Sequence, residues 1–508
     1  MNPKTLDATT RVAVIGAGSM GAGIAQLAAQ AGHEVRLFDM QPGAAVRALE
    51  RIAADLDGAV QRGRMTAAER DGARERLVAV ERLEALEGCG LAIEAIVEKL
   101  EPKQQLFRQL ENVLGAQAVL ATNTSSISVT AVAQGLQHPQ RLIGLHFFNP
   151  ATRMKLVEII RGVETDPALV PALHALSQAW GKTPVDAPNA PGFIVNRVAR
   201  PYYAEGLRLL AERVAPAAAV DKLLREAGGF AMGPFELMDL IGVEVNLSVT
   251  ESVFQATAFD PRFAPSLIQQ ELVRSGRFGR KSGQGFHRYG ADVPAPQVDV
   301  VAPASAAPAV ACAADMGALA PLVQRLQAAG VALQADAGLP AETFTVGGVR
   351  VALTDGRTAT ERAATDVAGP LLLLDLARDF AATPLLGAAA SVGAQGHLPA
   401  LAAVLQAAGI ALLALDDVAG LVLMRTVCCL ANEAADVITW SGATARDIDV
   451  AMKLGTAYPV GPLAWADALG AARVATVLRH LQDHYGDTRY RRSPLLTRLQ
   501  HAGGSFHA

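Results

Sequence analysis

One block of this chain occurs twice. Pro191-Gly-Phe-Ile-Val-Asn-Arg197 aligns with Ala419-Gly-Leu-Val-Leu-Met-Arg425, and Gly233-Pro-Phe-Glu-Leu-Met-Asp-Leu-Ile-Gly242 aligns with Gly461-Pro-Leu-Ala-Trp-Ala-Asp-Ala-Leu-Gly470, in one register without a gap. Arg197/Arg425, Glu205/Glu433, Asp221/Asp449 and Asp239/Asp467 coincide in the same register. From Pro191 the pattern is long and amphipathic, so the duplicated unit is a helical domain. The copies differ in polar residues: Asn196, which donates and accepts hydrogen bonds, is matched by Met424, and the second copy reads as structural.

Ahead of the first copy, residues 11–146 alternate β-branched runs (RVAVIG, EVRLFD, LAIEAI, AVLATN, RLIGLHF) with helical patterns, the signature of a doubly wound parallel sheet. The chain therefore divides into a Rossmann-like α/β domain (1–188), an all-α domain (189–290), a Pro- and Ala-rich linker (291–315), a small degenerate α/β domain without a glycine fingerprint (316–415), and a second all-α domain (416–508).

Charged residues are 19% of the chain and the net charge is −4, which provides no basic field for nucleic acid. The opening MNPKTLDATTRVAVIG lacks the apolar core of a secretory signal, and the apolar run Leu401 to Met424 is interrupted by Asp416 and Asp417. The expectation is a soluble, cytoplasmic protein that does not bind membranes. Cys89, Cys312, Cys428 and Cys429 show no CxxC spacing, so neither a metal site nor a disulfide framework is indicated.

Gly16-Ala-Gly18-Ser19-Met20-Gly21 follows the strand RVAVI and opens a helix, and Asp39 ends the next strand. Strand, glycines, helix, strand and acid in this order form a dinucleotide fingerprint. Gly16 permits the tight turn, Gly18 lets the backbone approach the pyrophosphate and Gly21 lets helix and sheet pack closely; the helix amino terminus, with Ser19 and Met20, faces the phosphates. A carboxylate at Asp39 accepts from ribose hydroxyls and repels a 2′-phosphate, and no Arg follows it, so NAD is expected over NADP.

Three polar clusters close strand-like runs where open α/β sheets bind ligands: Thr122-Asn-Thr-Ser-Ser126, His146-Phe-Phe-Asn-Pro150, and Glu158 within MKLVEII. Alcohol oxidation needs a base for the hydroxyl proton, and histidine has the unperturbed pKa nearest neutrality, so His146 is the candidate base. Glu158, beyond the Asn149-Pro150 turn, is the candidate carboxylate for its other ring nitrogen.

TNTSS, HFFNP, LVEII, APGFIVNR and GPFELMDLIG, in this order after GAGSMGAG, resemble the L-3-hydroxyacyl-coenzyme A dehydrogenases over about Arg11 to Tyr289. The resemblance implies NAD-dependent oxidation of an (S)-3-hydroxyacyl-CoA to the 3-oxoacyl-CoA, a reaction of fatty-acid β-oxidation, in a cleft between two domains. It makes His146 the general base with Glu158 its partner, Ser125 and Asn196 residues that bond the substrate 3-oxygen or order the surrounding site, and Glu98, Lys103, Asn149 and Lys281 neighbours of the cofactor. The second half is similar to that of long bacterial members associated with 3-hydroxybutyryl-CoA, or with 3-hydroxyadipyl-CoA in phenylacetate catabolism. Met424 in place of Asn leaves one active site per chain.

Arg62 and Arg64 are candidate contacts for the anionic coenzyme A tail. Shorter relatives dimerise through the helical domain, so the chain is expected either to form a homo-oligomer or to pair its two helical copies internally. Competing readings are a dehydrogenase of a free hydroxy or sugar acid, and a non-catalytic NAD-binding scaffold.

Overall fold

A computed structural model of the chain describes residues 6–367 and 369–507. The first residues of the expected nucleotide domain (1–5), with the start of the stretch read for a signal, and Ala508 of the last expected domain lie outside the described residues. The chain forms two compact units, Met1–Arg197 with Ser441–Thr456, and Val198–Trp440 with Ala457–Ala508.

The first unit is built on β1 (Val12–Ile15), β2 (Val35–Phe38), β3 (Leu77–Val80), β4 (Leu91–Glu94), β5 (Val119–Thr122), β6 (Leu142–Phe147), β7 (Leu156–Arg161) and β8 (Thr183–Ala187). Their order is β3-β2-β1-β4-β5-β6-β7-β8. Strands β1, β4 and β5 are buried along their whole length, as strands covered on both faces must be. Because β1 lies between β2 and β4, the crevice beyond its carboxyl end is a topological switch point, and Gly16 sits there. One pair departs from the expected parallel sheet: β6 and β7 run antiparallel, because the short connection through Asn149 and Pro150 cannot make a parallel crossover. The unit also contains the Ala445–Thr456 helix, which the sequence pattern groups with residues 416–508.

The second unit holds β9 (Val310–Cys312), β10 (Leu333–Ala335), β11 (Thr343–Val346), β12 (Val349–Leu353), β13 (Leu371–Leu374), β14 (Leu385–Ala390) and β15 (Ala411–Leu415), in the order β10-β9-β11-β12-β13-β14-β15. Strand β9 lies within the segment 291–315 read as a linker; its three residues are flanked by Pro and Ala and carry no visible alternation, yet they pair on both sides. The succession β12 parallel to β13, antiparallel to β14, parallel to β15 repeats that of β5 to β8.

In the same unit the two helical copies are joined by buried charge. Arg425, on the Leu423–Ser441 helix, donates to Glu205 (2.7 Å), to both oxygens of Glu212 (3.0 Å each), and to the hydroxyls of Tyr485 (2.8 Å) and Tyr490 (2.7 Å). In the other direction Glu433, the repeat counterpart of Glu205, accepts from Arg262 of the first copy at 2.9 Å, and Asp436 accepts from the same guanidinium. Each copy thus supplies a glutamate to an arginine of the other.

Candidate active site

The glycine loop is shaped by close approach. Gly16 has φ +108°, and a Cβ there would stand 2.4 Å from the Ala95 carbonyl oxygen; one at Gly21 would stand 1.8 Å from the Gly16 carbonyl oxygen. At Gly18 a Cβ would meet no protein atom within 4 Å. The Ser19–Gln30 helix starts here with no side-chain cap, leaving its first N–H groups to other acceptors. Ser19 is exposed and Met20 half-buried. Asp39 closes the loop from the neighbouring strand: it accepts from Ala17 N at 2.7 Å and Gln41 N at 2.8 Å.

On the far side of the same sheet, the antiparallel register sets His146 of β6 directly opposite Glu158 of β7. The His146 Nδ1–H donates to Glu158 Oε2 at 2.7 Å, with the two residues 6% and 0% exposed. Committing Nδ1 to a carboxylate fixes the tautomer and leaves the Nε2 lone pair as the acceptor. The other oxygen of Glu158 accepts the backbone N–H groups of Ile194 (3.1 Å) and Val195 (3.0 Å). These follow Gly192 and Phe193, both left-handed at φ 75° and 49°, a turn that aims the N–H groups at the carboxylate. Phe148 and Phe193 flank the imidazole with ring centroids at 4.5 and 5.9 Å.

The loop after β5 is held by a chain of charges. Glu98 Oε1 accepts from Thr124 Oγ1 (2.6 Å), Ser125 N (2.8 Å), Ser125 Oγ (3.3 Å) and Ser126 N (3.1 Å). Burial pushes the Glu98 carboxyl up, but the Lys103 ammonium and the loop donors outweigh this and hold it below the ordinary range. Lys103 is 1% exposed, its ammonium shared between Glu98 (3.1 Å) and the buried Glu94 (2.6 Å). Asn196 donates to the Ser125 carbonyl at 3.3 Å, bringing the start of the first helical copy to the same loop. His146, Glu158, Ser125, Asn196, Glu98 and Lys103 therefore belong to one unit with the glycine loop.

Asn149 is exposed in the connection between β6 and β7. Arg62 and Arg64 are exposed at the end of the Ala44–Gln61 helix. Lys281 belongs to the second unit, where it is half-exposed and paired with Glu244. Two further residues, Asn123 of the Thr122–Ser126 cluster and Glu94, had no role assigned from the sequence. Asn123 Oδ1 accepts the Phe147 N–H at 2.8 Å, tying the serine loop to the strand of His146. Glu94, besides Lys103, accepts from Thr122 Oγ1 (2.7 Å) and Ile96 N (2.8 Å). An acid ending the apolar run LAIE was the available signal.

The second sheet and the second helical copy preserve the scaffold of this site with a different set of polar side chains. Asp375 follows β13 and accepts Val422 N (3.0 Å), Leu423 N (2.7 Å) and Met424 N (3.0 Å); Val422 and Leu423 are the repeat counterparts of Ile194 and Val195. The preceding Gly420 and Leu421 repeat the left-handed turn, at φ 76° and 53°. Opposite Asp375 stands Gly387, and neither β13 nor β14 contains a histidine or a glutamate. One buried carboxylate anchors the helix, and no base is attached to it.

Residues 11–190 match the 3-hydroxyacyl-CoA dehydrogenase NAD binding domain, 192–289 and 420–505 both match the C-terminal domain of that family, and 351–418 match the 3-hydroxybutyryl-CoA dehydrogenase reduced Rossmann-fold domain. The chain is 43% identical over 485 residues to a 3-hydroxyadipyl-CoA dehydrogenase of Escherichia coli K12, covering 96% of each chain. It is 38% identical over 279 residues to a probable 3-hydroxybutyryl-CoA dehydrogenase of Bacillus subtilis, covering 55% of this chain and 97% of that one. A crystal structure of 3-hydroxybutyryl-CoA dehydrogenase from Escherichia coli K12 superimposes with a TM-score of 0.89 at 41% identity, covering 97% of this chain and 99% of the other. The match of the C-terminal family domain to both helical blocks agrees with the duplication read from the sequence. With its nucleotide fold, its paired helical domains and its reduced second sheet all accounted for, the chain belongs to the 3-hydroxyacyl-CoA dehydrogenase family.

Proposed function

We propose that this NAD-dependent 3-hydroxyacyl-CoA dehydrogenase acts on (S)-3-hydroxybutyryl-CoA or (S)-3-hydroxyadipyl-CoA, with His146 as the base. The observation that carries the assignment of the base is the buried His146–Glu158 pair, anchored by the Ile194 and Val195 N–H groups. The two acyl groups are those named for the relatives that cover nearly all of this chain.

The glycine loop suits a dinucleotide: Gly18 leaves open the space a side chain would fill, beside an uncapped helix amino terminus. Asp39, Ser19, Met20, Glu98, Asn149 and Lys281 are assigned to contact with the cofactor, and Lys103 to the same site at one remove. NAD supplies the two-electron acceptor for the alcohol carbon. His146 Nε2 takes the proton of the 3-hydroxyl, and Glu158 stabilises the imidazolium so formed without itself accepting the proton. Ser125 Oγ and Asn196 Nδ2 hold the 3-oxygen in line with Nε2, and in the reverse direction His146 returns the proton to that oxygen. Lys103 acts on the site through Glu98, because its ammonium is enclosed by two carboxylates. Arg62 and Arg64 are assigned to the phosphates of coenzyme A.

The chain pairs its two helical copies internally through Arg425 and Arg262, in place of a second subunit. Among the described residues no helix is long and apolar enough to cross a membrane, and a cytoplasmic location is proposed. Steady-state kinetics with C4 and dicarboxylic C6 3-hydroxyacyl-CoA thioesters and NAD test the substrate. A higher kcat/KM on either than on a C10 thioester is expected; preference for the long chain would refute the assignment.

A further inference from the structure

In the second half the strands that match β6 and β7 carry no histidine or glutamate, yet one helix of that half is packed against the strands of the candidate site. The Ala445–Thr456 helix belongs to the first compact unit. Its Gly455 fits so closely that a Cβ would stand 2.9 Å from Leu156 Cδ2 and 3.0 Å from Val195 Cγ2. Leu156 opens β7, two residues before Glu158, and Val195 is one of the two residues whose N–H groups hold the Glu158 carboxylate. Gly455 therefore lies against the strand that carries that carboxylate and against one of the two residues whose N–H groups hold it.

The second unit contains the counterpart of this contact. There the Ala217–Glu226 helix of the first copy, which corresponds in the repeat to Ala445–Thr456, lies on the second sheet. A Cβ on Gly387 of β14 would stand 2.9 Å from Leu223, and one on Gly228 would stand 3.0 Å from Leu423, the counterpart of Val195. Each helical copy thus lends the same helix to the sheet of the other copy, at the same turn. An arrangement kept in both directions is a property of the duplication rather than an accident of one surface.

We infer that the Ala445–Thr456 helix is a working part of the catalytic centre, with Gly455 a positioning residue: by pressing on Leu156 and Val195 it sets the Glu158 carboxylate, and through it the His146 ring. The second half is then needed for turnover although it carries no reacting group. This rests on the reading of His146 and Glu158 as the base pair.

The test uses the full chain with Gly455→Ala and Gly455→Leu, and His146→Ala in parallel. Displacing a base by a fraction of an ångström is costly to the chemical step, so kcat should fall roughly threefold in Gly455→Ala and about tenfold or more in Gly455→Leu. The acid limb of the kcat–pH profile should shift in both, because the carboxylate that stabilises the imidazolium has moved. The NADH dissociation constant should stay within about twofold, since the glycine loop lies on other strands. Leu156→Ala combined with Gly455→Leu should recover part of the lost kcat by making room. An unchanged kcat and pH profile in Gly455→Leu that still binds NADH would overturn the inference. Should Gly455→Leu fail to fold, Gly455→Ala decides, and wild-type kcat and profile in it would overturn the inference equally. If His146→Ala retains full kcat, the reading of the site has failed instead.

Discussion

Glu205 and Arg425, from different copies of the helical repeat, form an ion pair at 2.7 Å with side chains 2% and 0% exposed. Removing Arg425 leaves the buried Glu205 carboxylate with Arg208 as its remaining charged partner, so the cost falls short of that of a buried charge left wholly unpaired and is about 1–3 kcal/mol. Arg425→Met should destabilise the chain by that amount in urea unfolding of the second unit's signal. A loss below about 1 kcal/mol would show that the copies are held together by other contacts.

Internal pairing predicts the state of association. Sedimentation of the intact chain should give a monomer. A chain ending near Ala291 exposes the face of Arg262 and Glu205 and should self-associate or precipitate. A truncated chain that stays well behaved and monomeric would count against the pairing.

Asp375 provides a pH signature of the second sheet. Burial pushes its carboxyl up to about 6, against the pull of the backbone N–H groups it accepts. With the folded pKa raised, the native state binds the extra proton between about 4 and 6, so this group's contribution to stability is full below about 4 and is lost as pH rises through 6. The stability of the wild type minus that of Asp375→Asn should therefore decline across this window, by no more than roughly 3 kcal/mol. A flat difference from pH 4 to 7 would place the Asp375 carboxyl in its ordinary range.

Asp39→Ala removes both the proposed ribose acceptor and the support of Ala17 N. Hydrogen bonds to a charged group are worth about 1.5–3 kcal/mol, so NADH affinity should fall about tenfold or more, and NADPH affinity should fall less. Fluorescence titration with both nucleotides measures the ratio. An unchanged ratio would show that Asp39 does not select between them.

Glu158→Gln keeps an acceptor for the Ile194 and Val195 N–H groups but removes the charge beside His146. A drop in kcat of about 10²-fold or more with NADH binding intact is expected, and a kcat within threefold of wild type would deny Glu158 its role.

Much of the candidate site was legible because its residues sit on short local signals. The fingerprint from Gly16 to Asp39 is one strand–helix–strand unit, and His146 and Glu158 fall on consecutive strands joined by a short turn. What the sequence left open depends on contacts distant in the chain. The parallel-sheet pattern could not reveal that β7 reverses, which is what sets the two residues face to face. Asn123 and Glu94 act on neighbouring strands and have no periodic signature of their own. Strand β9 is too short for alternation to be seen, and the place of Gly455 depends on a helix that its sequence context assigns to another domain. The duplication was visible as an alignment, but the reciprocal exchange of helices it supports was not.

That a single base, His146, serves NAD-dependent oxidoreduction of a 3-hydroxyacyl thioester is the proposal on which the others depend. Its most direct test is the rate of NADH oxidation with acetoacetyl-CoA by the wild type and by His146→Ala, with NADPH in place of NADH as a control. Turnover by the wild type with NADH, little with NADPH, and a loss of about 10²–10⁴-fold in His146→Ala while NADH still binds are expected. A wild type that binds NADH yet leaves the thioester unreduced, or a His146→Ala chain that turns over at the wild-type rate, would contradict it.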